Sequence, residues 1–214
     1  MTKKRPGDAI PTQTRAVTSA RSETEQRFLD AAERLLVEIG YARITTRKLA
    51  DEAGANLGLV HYYFGTMEEL FVQVLERFTE GLITRQRAMY ASPAPYIEKW
   101  REAMRYLDED RPYQKIWWEL QAMAWNRPEF RERVARVHDA WREAMRAAVE
   151  EALARYQLDH SEFSTEAWLA LILTVNEGII LERLSGIDRG HAELLAAIDS
   201  WLERLEESAG DAGA

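Results

Sequence analysis

Two short runs of hydrogen-bonding side chains, separated by a small apolar stretch, hold the chemistry that can be read in this chain. The first is Thr45, Thr46, Arg47 and Lys48, and the second is Asn56, Leu57, Gly58, His61, Tyr62 and Tyr63. Hydroxyls and cations at a helix start suit phosphate, because the free N–H groups and the positive dipole end point the same way. Arg47 is long enough to reach a guanine edge or a backbone oxygen. Gly58 lets backbone come close to a partner. Tyrosine hydroxyls beside a phosphate chain donate hydrogen bonds that set register without reading bases. These residue types suit a surface laid into the groove of a nucleic-acid duplex.

Such residues need short helices to hold them, and the flanking sequence supplies the signals. Ser22-x-x-Glu25 is a capping-box pattern, predicting a first helix that begins after Ser22. Phe28, Ala31, Ala32, Leu35, Leu36 and Ile39 follow at helical spacing, and Gly40 stands where the helix should end. Thr45 caps a second helix with Leu49, Ala50 and Ala53 as its apolar face, and Gly54 makes the turn. Asn56 caps a third helix over about residues 57–63. Val60 and Phe64 should face the core, and two adjacent tyrosines on so short a helix cannot both do so. Thr66-x-x-Glu69 is a second capping box, opening a long helix through Leu70, Val74, Leu75, Phe78 and Leu82. After the break at Ser92-Pro-Ala-Pro95, helices are expected over about 95–109, 112–125, 128–156, 165–185 and 190–207. Asn126 with Glu129 forms a further cap. No strand-like alternation of useful length and no internal repeat occurs.

The class is therefore all-α: an N-terminal three-helix head with a helix-turn-helix, joined to a larger helical body, about nine helices in all. The expected divisions are a disordered basic arm at 1–21, a DNA-binding domain at 22–66, a ligand-binding and dimerisation domain at 67–207 and a disordered tail at 208–214. The arm carries Lys3, Lys4, Arg5, Arg15 and Arg21. It reads as a solvated tail, with contact to DNA phosphate as the sharper alternative.

Charge confines the partner to one end. The chain of 214 residues has a net charge of −8. Residues 1–64 hold ten Lys/Arg against eight Asp/Glu, a balance of +2, and residues 65–214 hold eighteen against twenty-eight, −10. An acidic body behind a mildly basic head fits specific DNA binding rather than a general affinity for polyanions. Cysteine is absent, which removes disulfides, thiolate metal sites and cysteine nucleophiles and suits a reducing cytoplasm. The start MTKKRPGDAIPTQ has no apolar segment behind it and does not read as a secretory signal. No apolar run is long enough to span a bilayer.

Enzymatic signatures are missing. His61, His138, His160 and His191 show neither HExxH nor another paired-ligand spacing, and no GxSxG, P-loop or GxGxxG occurs. The expectation is no catalysis, no metal and no cofactor.

The helix-turn-helix segment resembles the DNA-binding domain of the TetR family of bacterial transcription regulators. The matching residues are Thr45-Thr46-Arg47-Lys48-Leu49-Ala50, Ala53-Gly54, Val60-His61-Tyr62-Tyr63-Phe64-Gly65-Thr66 and Glu68-Glu69-Leu70, within about residues 24–75. The resemblance implies DNA contacts at Thr46, Arg47, Asn56, Leu57, Gly58, His61, Tyr62 and Tyr63; Thr45 and Lys48 are added from their place at the helix start. Two positions depart from the pattern. The family usually has Tyr where this chain has His61, and a phosphate-binding Lys where it has Met67. Loss of that cation should flatten the salt dependence of binding by about one unit.

One head covers one half-site, so useful affinity calls for a homodimer on a palindromic operator. The candidate interface is Trp168, Leu171, Ile172, Val175 and Ile179 in one helix with Leu194, Ile198, Trp201 and Leu205 in the last. In TetR-like proteins the last two helices dimerise. The alternative is that both stripes only close the subunit's own core. The middle of the chain is dense in aromatics, which can fill a core or line a cavity. The family commonly binds a small-molecule inducer there. Candidate lining residues are Trp100, Met104, Trp117, Gln121, His138, Trp141, Met145 and Asn176, with Glu119, Thr174 and Met123 as further possibilities. The resulting expectation is a repressor released from its operator by a small apolar or aromatic ligand. The alternatives are a helical interaction protein, or an activator without small-molecule control.

Overall fold

The computed structural model describes the backbone of residues 12–158 and 163–211, and the side chains of 23–158 and 163–210. Among the described residues every regular element is helical: α1 (Thr12–Ile39), α2 (Thr46–Ala53), α3 (Gly58–Phe64), α4 (Met67–Tyr90), α5 (Tyr96–Glu109), α6 (Arg111–Trp125), α7 (Pro128–Arg155), α8 (Thr165–Leu184) and α9 (His191–Asp211). A single 3-10 turn, Tyr41–Arg43, joins α1 to α2. None of these helices is long and apolar enough to cross a membrane.

The chain forms two compact units that divide between Val74 and Leu75. In the first, α1 packs on α2. Phe28, Ala31, Ala32, Leu35 and Leu36 supply the buried stripe of α1; Leu49, Ala50 and Ala53 that of α2; Val60 and Phe64 that of α3. The aromatic core is tightly keyed. Phe28 is fully buried and meets Phe64 edge-on at 6.1 Å and Tyr63 at 6.3 Å between ring centres.

Two boundaries differ from the sequence expectation. α1 begins at Thr12, not after Ser22, so part of the expected basic arm is helix. Once a helix is nucleated, each further residue adds a hydrogen bond at little entropic cost, and Thr12–Arg21 contains no Gly or Pro to stop it. Ser22 therefore lies inside a helix rather than at its cap. Residues 1–11, with Lys3, Lys4 and Arg5, lie outside the described residues. At the other end α9 runs to Asp211 instead of stopping at 207, because Ser208 and Ala209 are tolerated in a helix already formed.

In the second unit α7 packs on α6 and α8, and α5 packs on α9. Pro112 and Pro128 sit in first turns, where the missing N–H was never going to be bonded. Asn126 does not cap α7; its amide donates back to the Ala122 carbonyl at 3.3 Å and closes the end of α6. Arg101 on α5 makes a bidentate pair with Asp199 on α9 at 2.7 and 2.8 Å. At the other end of α9, Glu206 accepts from Arg155 Nε at 3.1 Å and from the Tyr156 hydroxyl at 2.8 Å. The Arg155 hydrogen bond holds the Glu206 carboxyl below the usual carboxylate range.

Candidate nucleic-acid interface and ligand cavity

The helix-turn-helix is built by three local devices. The Thr45 hydroxyl accepts from the Lys48 N–H at 3.2 Å and starts α2. Gly54 ends α2 with φ +58° and ψ +41°, the left-handed conformation that side chains resist. The Arg27 guanidinium of α1 donates to the carbonyls of Ala53 and Gly54 and fixes the turn from behind. A Cβ at position 54 would lie 3.0 Å from Arg27 Nη2. Gly54→Ala is therefore expected to lower the stability of this unit by about 1–2 kcal/mol, through backbone strain alone, and more if Arg27 is displaced. Chemical denaturation followed by tyrosine fluorescence measures it. An unchanged midpoint would show that the turn is not strained.

The Asn56 side chain accepts from the Gly58 N–H at 2.9 Å and starts α3. Val60 and Phe64 turn inward, as their spacing predicts. Leu57, Gly58, His61 and Tyr62 turn outward, with Leu57 50% and Tyr62 63% exposed. Tyr62 packs edge-on against Tyr63 at 5.1 Å between ring centres, yet at least half of its surface, like that of Leu57, stays open to solvent. Tyr63 is half-buried and packs its ring on Phe28. His61 Nδ1 lies 2.9 Å from the Gly65 carbonyl. A carbonyl can only accept, so Nδ1 carries the hydrogen and Nε2 is left as the outward-facing atom. On α2, Arg47 and Lys48 are exposed and Thr46 is half-buried. The Lys48 ammonium reaches back to the Arg43 carbonyl at 3.3 Å, whereas Arg47 makes no bond within the described residues. The Thr66 hydroxyl accepts from the Glu69 N–H at 3.1 Å and opens α4, with Met67 half-buried beside it.

In the second unit a half-open cavity of about 150 Å³ is lined by α4 to α8. Five of the expected residues line it: Trp117, His138, Trp141, Met145 and Asn176. Three do not. Trp100 packs against the cluster of Ile97, Tyr156 and Leu202, and Met104 packs against Tyr90 and Met145 from outside the cavity wall. Gln121 is buried on α6 one turn beyond Trp117. Ala103 and Leu107 of α5 line the cavity, whereas Trp100 shares their face one turn nearer the helix start and Met104 is rotated about 100° from Ala103. Of the further possibilities, Glu119 pairs with Lys115 at 3.7 Å and Thr174 is exposed. The wall that sequence reasoning missed is α4, with Phe78, Thr79, Leu82, Gln86 and Tyr90. Phe78, Leu82, Gln86 and Tyr90 recur every four residues, a signal present in the sequence but obscured by its polar members.

The outer faces of α8 and α9 hold an apolar strip. Leu171 is 43%, Leu181 47% and Leu194 43% exposed. Gly178 lies on the same face of α8, with nothing within 4 Å of where a Cβ would stand. Trp168, Ile172, Val175, Ile198, Trp201 and Leu205 are half-buried, and Trp168 stacks on Trp201 at 6.1 Å. Ile179 differs from expectation: at 3% exposure it belongs to the subunit's own core. It lies nearly opposite Leu181 around the helix, so the two cannot share a face.

Residues 28–74 match the family described as bacterial regulatory proteins, tetR family. The chain is 25% identical over 174 residues to the uncharacterized HTH-type transcriptional regulator YfiR of Bacillus subtilis, covering 77% of this chain and 82% of the relative. It is 32% identical over 75 residues to the HTH-type transcriptional repressor KstR2 of Rhodococcus jostii, covering 35% of this chain and 37% of that one. Its fold is similar to the crystal structure of a TetR transcription regulator from Haloarcula marismortui, with a TM-score of 0.64 at 20% identity over 85% of this chain and 96% of the other. Over its head the chain is thus similar to TetR-family transcription regulators. Such proteins are not enzymes.

Proposed function

We propose that this protein is a cytoplasmic, homodimeric repressor that leaves a palindromic operator when a small molecule fills the body. Residues 22–66 would form the DNA-binding domain, and residues 67–207 the ligand-binding and dimerisation domain. The observation that carries the DNA reading is the outward set on α2 and α3, namely Arg47, Leu57, Gly58, His61 and Tyr62, all exposed on one side of the helix-turn-helix. Thr45, Thr46, Lys48, Asn56 and Tyr63 complete the proposed contact surface. The apolar strip on α8 and α9 supports dimerisation, since an isolated subunit would leave it in water. The cavity supports ligand control. A ligand that fits better when the two heads are splayed differently weakens operator binding by its differential affinity, and by no more. α4 is the proposed lever, since it opens at Met67 and lines the cavity as far as Tyr90.

Arg47 offers the direct test. Arg47→Ala is expected to weaken operator binding by about 5- to 150-fold, equivalent to about 1–3 kcal/mol for a lost DNA-contacting arginine. If Arg47 holds phosphate, the slope of log affinity against log salt should also fall by about 0.9 for each subunit. Fluorescence anisotropy across a salt series measures both quantities. An unchanged affinity would remove Arg47, and with it the α2 face, from the DNA surface.

A further inference from the structure

The cavity has a sign. Its lining includes two carboxylates, Asp110 and Glu177, and neither Lys nor Arg. Asp110 already has a cation, since Arg85 donates to it from outside the lining and is itself seated over the Tyr106 ring at 4.0 Å. Burial pushes the Asp110 carboxyl upward, with Arg85 opposing that shift. The Asp110–Arg85 pair therefore adds little net charge to the cavity. Glu177 has no such cation. Its partner is the His138 imidazole at 3.3 Å, which is charged only when protonated. Glu177, its side chain 34% exposed, is thus the lining carboxylate with no fixed cation beside it among the described residues, placed to attract a positive charge.

The walls suit the same charge. Phe78, Tyr113, Trp117 and Trp141 line the cavity, and aromatic faces attract cations. Within it two buried polar groups, Gln86 and Tyr90, are each 8% exposed and find no hydrogen-bond partner among the described residues. They stand one turn apart on α4, and both line the cavity. Their side-chain polar atoms still reach solvent, so an entering polar group would exchange with water for their hydrogen bonds. The volume, about 150 Å³, matches that of an engineered apolar cavity that admits benzene. A ligand with a carboxylate head would meet like charge at Glu177.

We infer that the effector is a small organic cation, a protonated amine on a body of about one aromatic ring. The ammonium sits toward Glu177, the ring among the tryptophans, and Gln86 with Tyr90 bonds whatever polar group the body carries. This assignment rests on the ligand-controlled reading above and names the ligand class for it.

Three probes of equal length test it by isothermal titration calorimetry on the full-length protein near neutral pH: 3-phenylpropan-1-amine, 3-phenylpropan-1-ol and 3-phenylpropanoate. The amine should bind about tenfold or more tighter than the alcohol, and the carboxylate more weakly than either. Glu177→Gln should remove the amine's advantage and leave alcohol binding where it was. The wild-type comparison stands even if that variant fails to fold. An alcohol or carboxylate that binds as tightly as the amine overturns the charge assignment while the ligand-binding reading survives. Absence of heat and of any melting shift with all three overturns both.

Discussion

A chain carrying Leu171→Asp and Leu181→Asp should sediment as a monomer and bind its operator at least a hundredfold more weakly. The two leucines are 43% and 47% exposed, so the subunit can accept carboxylates there without losing its own core. Against a second copy the same carboxylates would be buried without partners, at a cost of several kcal/mol each. The affinity loss follows from linkage: two heads held together gain roughly 10²–10⁴ over one head through effective concentration, and a monomer forfeits that gain. Analytical ultracentrifugation gives the mass, and circular dichroism checks that the helices survive. A double variant that remains dimeric would move the interface off the outer face of α8.

The second large effect concerns the head. Phe28→Ala should cost about 3–5 kcal/mol, the usual range for deleting a buried aromatic side chain. Phe28 is fully buried, and its ring keys Tyr63 and Phe64 of α3. A unit that ends at Val74 has, at about 0.05–0.15 kcal/mol per residue, only about 4–11 kcal/mol of stability to lose. Operator binding should therefore fail well below the wild-type melting temperature, while the second unit melts as before. Differential scanning calorimetry should show the head's transition displaced downward. A thermogram and an operator affinity both unchanged would mean that the α1–α3 contact does not hold the recognition helix in place.

The head was legible because its signals are local. Thr45, Gly54, Asn56 and Thr66 each act within a few residues, and each makes the bond or adopts the conformation that its type and position suggest. Val60 and Phe64 are separated by one helical turn, so their shared face needs no tertiary information. The start of α1 was misread because Ser22-x-x-Glu25 satisfies a cap pattern without serving as one; a pattern of two residues cannot say whether the chain before it is also helical. The cavity was half legible for a different reason. Composition announced aromatics, but which residues meet a cavity depends on the rotation of each helix and on where along it the others cross, and no single helix encodes either. Trp117, Trp141 and Met145 fell on the right side, Trp100 and Met104 did not, and the polar stripe of Gln86 and Tyr90 was passed over. Ile179 was assigned to the interface because α8 is apolar nearly all round, which hides the inward face from the outward one.

The central claim is sequence-specific DNA binding by a symmetric pair of these heads. Selection of bound fragments from random duplex DNA by the purified protein, followed by sequencing, tests it most directly. An enriched inverted repeat is expected, with half-sites about one helical turn, or a multiple of one, apart. Recovery of unselected sequence, or of a single unrepeated motif, would contradict it.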